Sequence, residues 1–159
     1  MDQGFQGARV PDPGFPDDTG EVAPAVARAL SSYAEDRGRY VEALNAVAAS
    51  RLLVPVVAVL GEVEHDETGL AQEKSSDVAA VLLTGADGRL ALLAFTGTEP
   101  LARWRDDARP VPVTAPDAAL AAVQEEAAAL LVDVAGPVPF VIEGQALFAL
   151  AAAASPEPP

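Results

Sequence analysis

Two series of apolar residues recur at spacings of three and four near the start of the chain. Such spacing places side chains on one stripe of an α-helix. Gly38 lies between the two series, and glycine costs about 1 kcal/mol relative to alanine inside a helix. The pattern therefore predicts two helices, over residues 24–36 and 40–50, joined at Gly38. The apolar positions are Val26, Leu30 and Tyr33, followed by Val41, Leu44 and Val47.

The apolar runs after residue 50 are shorter, which favours β-strands. Between two of them, Gly85–Gly88 contains an Asp-Gly pair that supplies the positive φ of a tight hairpin turn. Helical patterns extend from Thr98 to about residue 107, from Asp117 to about 129, and from Gln145 to 154. Prolines place the fourth strand near a sheet edge. The predicted strands cover residues 51–61, 77–84, 89–96, 109–114, 130–135 and 140–143.

This element order predicts an α+β domain over residues 23–154. Its mixed sheet has about five or six strands: a three-stranded meander comes first, and helices and strands then alternate, with the helices packed against the sheet. Residues 1–22 are rich in proline and glycine, which predicts a flexible arm. Residues 155–159 are predicted to be a disordered tail.

The amino-acid composition argues against several classes of function. The formal net charge is −14, which opposes binding to nucleic acid and to anionic membranes. The longest strongly apolar runs, 52–60 and 146–154, have nine residues each, and a membrane-spanning helix needs about 20. The chain has no cysteine, and His65 is its one histidine, which excludes thiolate and multi-histidine metal sites. We therefore predict a cytoplasmic protein without a cofactor.

Residues 62–67 form the densest group of polar side chains, with four carboxylates and one imidazole. Mg²⁺ and Ca²⁺ prefer oxygen ligands, so the segment could hold a divalent cation. The spacing does not match a known cation-binding loop, and a solvated strand end explains the same residues. No metal ligands are assigned, and a small-molecule or metal-dependent enzyme that uses this segment remains the alternative function.

No set of residues has the spacing of a catalytic site. Neither G-x-S-x-G nor S-x-x-K occurs, and His65 is the one imidazole that could activate a nucleophile. We therefore expect no catalytic residues and a protein that is not an enzyme.

The most distinctive surface is predicted around the helix that starts near Thr98, whose hydroxyl is expected to cap the helix. An anion bound at the helix N-terminus is the alternative role for these residues. A tryptophan between two arginines is typical of protein interfaces, although its indole could equally cover the core. The predicted protein-binding residues are Thr96, Thr98, Arg103, Trp104 and Arg105.

Seven segments follow one another along the chain in a specific order, namely Val10–Phe15, Arg51–Val57, Gly61–Glu64, Glu73–Asp77, Ala94–Thr98, Leu101–Trp104 and Val132–Pro137. This series resembles the SseB family, in particular short single-domain actinobacterial proteins built on the SseB N-terminal domain. The resemblance covers about residues 9–150 and implies no catalytic residues. We therefore expect a non-enzymatic protein-binding or regulatory module, and the sequence makes no prediction of its oligomeric state.

Overall fold

The structure, a computed structural model, describes residues 18–58 and 78–154. These ranges contain helices and strands in the mixed order of an α+β protein, which confirms the predicted class. The helices are α1 (Pro24–Glu35), α2 (Tyr40–Ala48), α3 (Thr98–Trp104), α4 (Ala115–Gln124) and α5 (Gly144–Ala152), with a short 3₁₀ turn at Arg37–Arg39. The strands are β1 (Arg51–Ala58), β2 (Val78–Ala80), β3 (Leu82–Thr84), β4 (Leu90–Ala94), β5 (Arg109–Thr114), β6 (Ala129–Val132) and β7 (Phe140–Glu143).

The strands form two sheets, whereas the sequence predicted a single one. One has the order β2-β1-β5, and the other has the order β3-β4-β6-β7. Strands β4 and β6 are parallel, and the other pairs are antiparallel. The backbones of Leu53 and Phe95 exchange two hydrogen bonds of 2.8 Å, which join the two sheets.

The predicted second strand, residues 77–84, is divided at Val81. Its first part pairs with β1 and its second part pairs with β4. At the break, the carbonyl of Val81 accepts a hydrogen bond from the backbone N–H of Leu93 at 3.2 Å. The chain thus passes from one sheet to the other, and the expected continuous meander becomes two separate antiparallel pairs.

The main core lies between α1, α2, α4 and α5 and both sheets, with Leu52 and Val54 of β1 among its buried residues. Helix α4 starts at Ala115, two residues before the predicted Asp117, because the Thr114 hydroxyl accepts the Asp117 N–H at 3.1 Å and Pro116 suits the first turn. It ends at Gln124 rather than near residue 129. Its buried positions are all alanine, namely Ala115, Ala118, Ala119 and Ala122.

Two sheet edges are protected against pairing with another strand. Strand β5 carries Pro110 and Pro112, which lack a backbone donor, so its predicted edge position is confirmed. Strand β7 is only four residues long, and the Tyr40 hydroxyl donates a 2.7 Å hydrogen bond to the Val141 carbonyl. The Tyr40 ring stacks on buried Phe140 at 4.9 Å. Pairing of a further strand is therefore disfavoured at both edges.

Three predictions concern residues outside the described ranges: the greater part of the arm (1–17), the acidic segment (62–67) and the tail (155–159). Among the described helices, none is both long enough and apolar enough to cross a membrane.

Candidate functional site

A buried carboxyl group lies where β4 and β6 end. Asp133 directly follows β6 and is only 1% exposed. Its two oxygens accept hydrogen bonds from the Thr96 backbone N–H, at 2.8 Å, and from the Thr96 hydroxyl, at 2.7 Å. Because β4 and β6 are parallel neighbours, the residues that follow them meet although they are 37 positions apart. The Asp133 backbone has a φ of 57°, in the left-handed region.

Burial raises the pKa of the Asp133 carboxyl from its ordinary value of 3.8 to about 6. Removal from water disfavours the charged form. The two hydrogen bonds from Thr96 oppose the rise in pKa, and the negative charge of Glu99 adds to it. The folded protein therefore binds this proton more tightly than the unfolded chain does.

The raised pKa predicts a pH-dependent stability that Asp133→Asn removes. Lowering the pH from about 7 to about 5 should stabilise the wild type through this group by about 1 kcal/mol, and the gain is lost as the pH rises through the folded-state pKa. Asparagine does not titrate, keeps an acceptor for the Thr96 N–H and tolerates a left-handed backbone. The measurement is the difference in unfolding free energy between wild type and variant at both pH values. An equal difference at the two values would contradict the assignment.

Arg51, the first residue of β1, fastens the segment before α1 to the domain. Its guanidinium forms a forked ion pair with Asp18, with one N–O distance of 3.0 Å, and donates to the carbonyls of Thr96 at 2.7 Å and Glu21 at 3.0 Å. The side chains of Arg51 and Asp18 are 11% and 18% exposed. The hydrogen bond from Arg51 lowers the pKa of Asp18. We call Asp18, Arg51, Thr96 and Asp133 the polar network.

Gly97 lets this N-terminal segment approach the start of α3. A Cβ atom at position 97 would lie 2.7 Å from Val22 Cγ2 and 2.8 Å from the Gly20 carbonyl oxygen. That oxygen instead accepts the Thr98 backbone N–H at 2.7 Å. The helix N-terminus is therefore bound by a peptide carbonyl, where the sequence offered an anion site as an alternative.

The structure corrects three predictions about this helix. Thr98 is its first residue and not its cap: Gly97 holds the cap position, and the Thr98 hydroxyl lies 3.2 Å from the Gly20 carbonyl oxygen, to which it donates. The helix ends at Trp104 rather than near residue 107, because Arg105 is extended. Thr96 is only 3% exposed, so it is not part of a binding surface.

The four-stranded sheet turns one face to the core and the other away from it. We call the second the outer face and define it by Leu83, Ala91, Ala129, Leu131 and Val141, which the strand register places side by side. These residues line an open groove of about 350 Å³. Leu83 and Val141 are 40% and 38% exposed. The Arg89 guanidinium and the Glu143 carboxylate, 2.8 Å apart, border the groove.

A small apolar cluster covers one end of the outer face. Buried Leu93, Phe95 and Leu101 belong to it, and Leu131 and Trp104 pack against it. The half-buried Trp104 ring lies 5.6 Å from the Phe95 ring at an interplanar angle of 29°. The indole thus covers core residues while part of it stays in contact with solvent.

The two arginines beside Trp104 are exposed and paired with near neighbours. Arg103 contacts Glu99 at 2.7 Å, and Arg105 contacts Asp107 at 3.1 Å. The Arg105 guanidinium lies 5.7 Å from the centre of the Trp104 ring.

The five predicted binding residues therefore separate into two groups. Thr96 and Thr98 hold the N-terminal segment, whereas Arg103, Trp104 and Arg105 lie at the covered end of the outer face. The sequence analysis missed the partners of both groups. Asp133 was assigned to the predicted strand 130–135, and Arg51 to the start of the predicted strand 51–61, with no contact expected for either side chain. Leu83, Leu131 and Val141 were assigned to strands without any sign that one face of the sheet is open.

No group of three or more metal-ligating side chains occurs within residues 18–58 and 78–154. The acidic segment on which the alternative enzyme hypothesis rests lies outside these ranges. The one buried acid in the polar network, Asp133, is 1% exposed and hydrogen-bonded to Thr96.

Comparison with known proteins identifies the domain. A family model described as the SseB protein N-terminal domain matches residues 26–149. No curated protein and no solved structure matches the chain. The matched range contains Arg51, Thr96, Trp104 and Asp133, whereas Asp18 precedes it. Because the match covers most of the sequence, the predicted resemblance to the SseB family is confirmed, and the chain belongs to that family.

Proposed function

We propose that this SseB-family chain is a non-enzymatic, cytoplasmic protein-binding or regulatory module. Its docking surface is the outer face, together with Trp104 and the flanking Arg103 and Arg105. The partner is a protein that presents apolar side chains to the groove.

The main support for this docking surface is that helices cover one face of the four-stranded sheet, whereas the outer face has exposed aliphatic side chains. Leu83 and Val141 stand on different strands with Leu131 between them. A contiguous apolar patch bordered by charged residues is typical of interaction sites. Trp104 extends the patch with a half-exposed aromatic ring of the kind that anchors interfaces.

The chemistry of the polar network supports a binding role over catalysis. Arg51 donates to the Asp18 carboxylate and to two backbone carbonyls, so its hydrogen bonds serve to hold the chain together. Asp133 bonds to Thr96 and is buried. A general acid or base must come within hydrogen-bonding distance of its substrate, and this carboxyl has no such access.

Val141→Asp should weaken capture of the physiological partner about tenfold or more, because an unpaired carboxylate would be buried at the contact. Val111→Asp is the matched control, since Val111 is 39% exposed on edge strand β5 of the other sheet. The measurement is quantitative mass spectrometry of proteins captured from host lysate by the wild type and the two variants.

Thermal unfolding of both variants verifies that each remains folded. The proposal predicts a partner that is retained by Val111→Asp and lost with Val141→Asp. Equal retention by both folded variants, or an equal loss from both, would overturn the assignment of the outer face.

A further inference from the structure

The N-terminal segment enters the domain close to the outer face. Asp18 forms an ion pair with Arg51. The Gly20 carbonyl accepts a hydrogen bond from the backbone N–H of Thr98, the first residue of α3. The last residue of α3, Trp104, packs at the covered end of the outer face. A helix rises 1.5 Å per residue, so these two ends of α3 are only about 9 Å apart. The N-terminal segment is thus tethered, through Gly20, at the end of α3 opposite Trp104.

The length of this chain suffices to reach the surface. Phe15 lies three residues before Asp18, and three extended residues span about 10 Å. Val10 lies eight residues before Asp18, and eight residues span at most about 27 Å. Asp18 is two residues from Gly20, which is bound at the start of α3, so Asp18 lies at most about 20 Å from Trp104. The three residues to Phe15 together with the two aromatic side chains span a comparable distance, and the further five residues to Val10 have the length to continue across the outer face.

The composition of residues 10–16 suits an apolar face rather than a sheet edge. The segment reads Val-Pro-Asp-Pro-Gly-Phe-Pro, and its three prolines have no backbone donor for pairing with a strand. Proline-rich segments bind grooves lined by aromatic residues through their side chains and prolyl rings. Trp104 provides the aromatic surface, and Leu131 and Val141 provide the aliphatic one.

Charge and tethering both favour the chain's own N-terminal segment, rather than a second copy of the protein, as the occupant of the outer face. Each molecule carries a net charge of −14, so two copies repel each other. A segment joined to its site by a few residues has an effective concentration in the millimolar range. An intramolecular contact therefore needs little intrinsic affinity.

We propose that residues 10–16 bind to the outer face of the same molecule, with Phe15 against Trp104 and Val10 toward Val141. The segment then competes with the protein partner for this face, a regulatory role that rests on the function proposed above. A partner must displace the segment in order to bind.

Paramagnetic relaxation in the full chain tests the contact directly. Because the protein has no cysteine, Ala8→Cys provides a unique attachment site for a nitroxide spin label. The label should cause a loss of methyl intensity at Leu83, Leu131 and Val141, relative to the reduced label. Val111, on the other sheet, is the internal control and should keep its intensity. Adding Val10→Ser and Phe15→Ser to the labelled chain should restore the lost signals.

Two results would overturn the intramolecular contact. One is an unchanged intensity at the outer face, or a loss that is equally large at Val111. The other is a loss that persists when spin-labelled chains of natural isotopic abundance are mixed with unlabelled, isotope-enriched chains, since a second copy would then be the occupant.

Partner capture separates this inference from the proposed function. In the full chain, Val10→Ser with Phe15→Ser should increase capture, because the competitor is weakened. If capture is insensitive to Val141→Asp while the paramagnetic effect is present, the proposed function fails and the intramolecular contact stands. If Val141→Asp abolishes capture and the paramagnetic effect is absent, the contact fails and the proposed function stands.

Discussion

Arg51→Ala is expected to lower the free energy of unfolding by about 3 kcal/mol, the largest effect of any substitution considered. The variant loses the forked ion pair to Asp18, whose charge-assisted hydrogen bonds are stronger than neutral ones. The carbonyls of Thr96 and Glu21 would also lose their donor. Asp18 would no longer be held, so the segment through Val22 should detach from Gly97. Denaturant unfolding near neutral pH measures the change.

Two further arginine variants serve as controls for the loss of stability expected from Arg51→Ala. Arg51→Lys keeps the charge but lacks the forked donor geometry, so it should lose an intermediate amount of stability. Arg103→Ala breaks an ion pair of similar length to Glu99, but its side chain is 49% exposed. Exposed pairs contribute about 0.5 kcal/mol. Equal losses from Arg51→Ala and Arg103→Ala would show that the Arg51 pair does not anchor the segment.

Asp133→Ala should have the second largest effect, a loss of about 2 kcal/mol near pH 7. The Thr96 N–H and hydroxyl would lose their acceptors in a buried site, and an alanine would occupy a left-handed backbone position. Relief of the cost of burying an ionised carboxylate offsets part of this loss. Denaturant unfolding of wild type and variant under identical conditions gives the difference.

Asp133→Asn is the matched control for the alanine variant. The amide keeps the acceptor and the tolerance of a positive φ while it removes the charge. We expect its stability near pH 7 to equal or exceed that of the wild type. If the asparagine and alanine variants were equally destabilised, the charge itself, and not the hydrogen bonds to Thr96, would be what stabilises this site.

Local sequence patterns predicted most of the elements because the relevant forces act between near neighbours. Apolar spacing located α1 and α2, the Asp-Gly pair located the turn between β3 and β4, and prolines identified β5 as an edge strand. The division of the second strand at Val81 was not visible. Its residues are uniformly suited to a strand, and only the positions of β1 and β4 decide where the chain changes sheets.

The candidate site was less predictable because its contacts join distant positions. Asp133 and Thr96 are 37 residues apart, and Arg51 and Asp18 are 33 residues apart. Trp104 was distinctive in the sequence, but Thr96 was predicted on the same surface, whereas the structure buries it. A threonine that follows a strand has the same local sequence whether its hydroxyl meets water or a carboxylate from a neighbouring strand.

By itself, the sequence of this protein determined most of its secondary-structure elements, its α+β class and its SseB-family membership, because these depend on local spacing, turn chemistry and the order of segments. Only the tertiary structure decided which apolar strand residues are covered. Leu130, Leu131 and Val132 are consecutive and similarly apolar, yet Leu131 alone faces the groove. The helices pack against one side of the sheet, and the strand pleat turns alternate residues to opposite sides. The burial of the Asp133 and Arg51 side chains also depends on tertiary packing, because it brings Asp133 to Thr96 and Arg51 to Asp18 from distant positions in the chain.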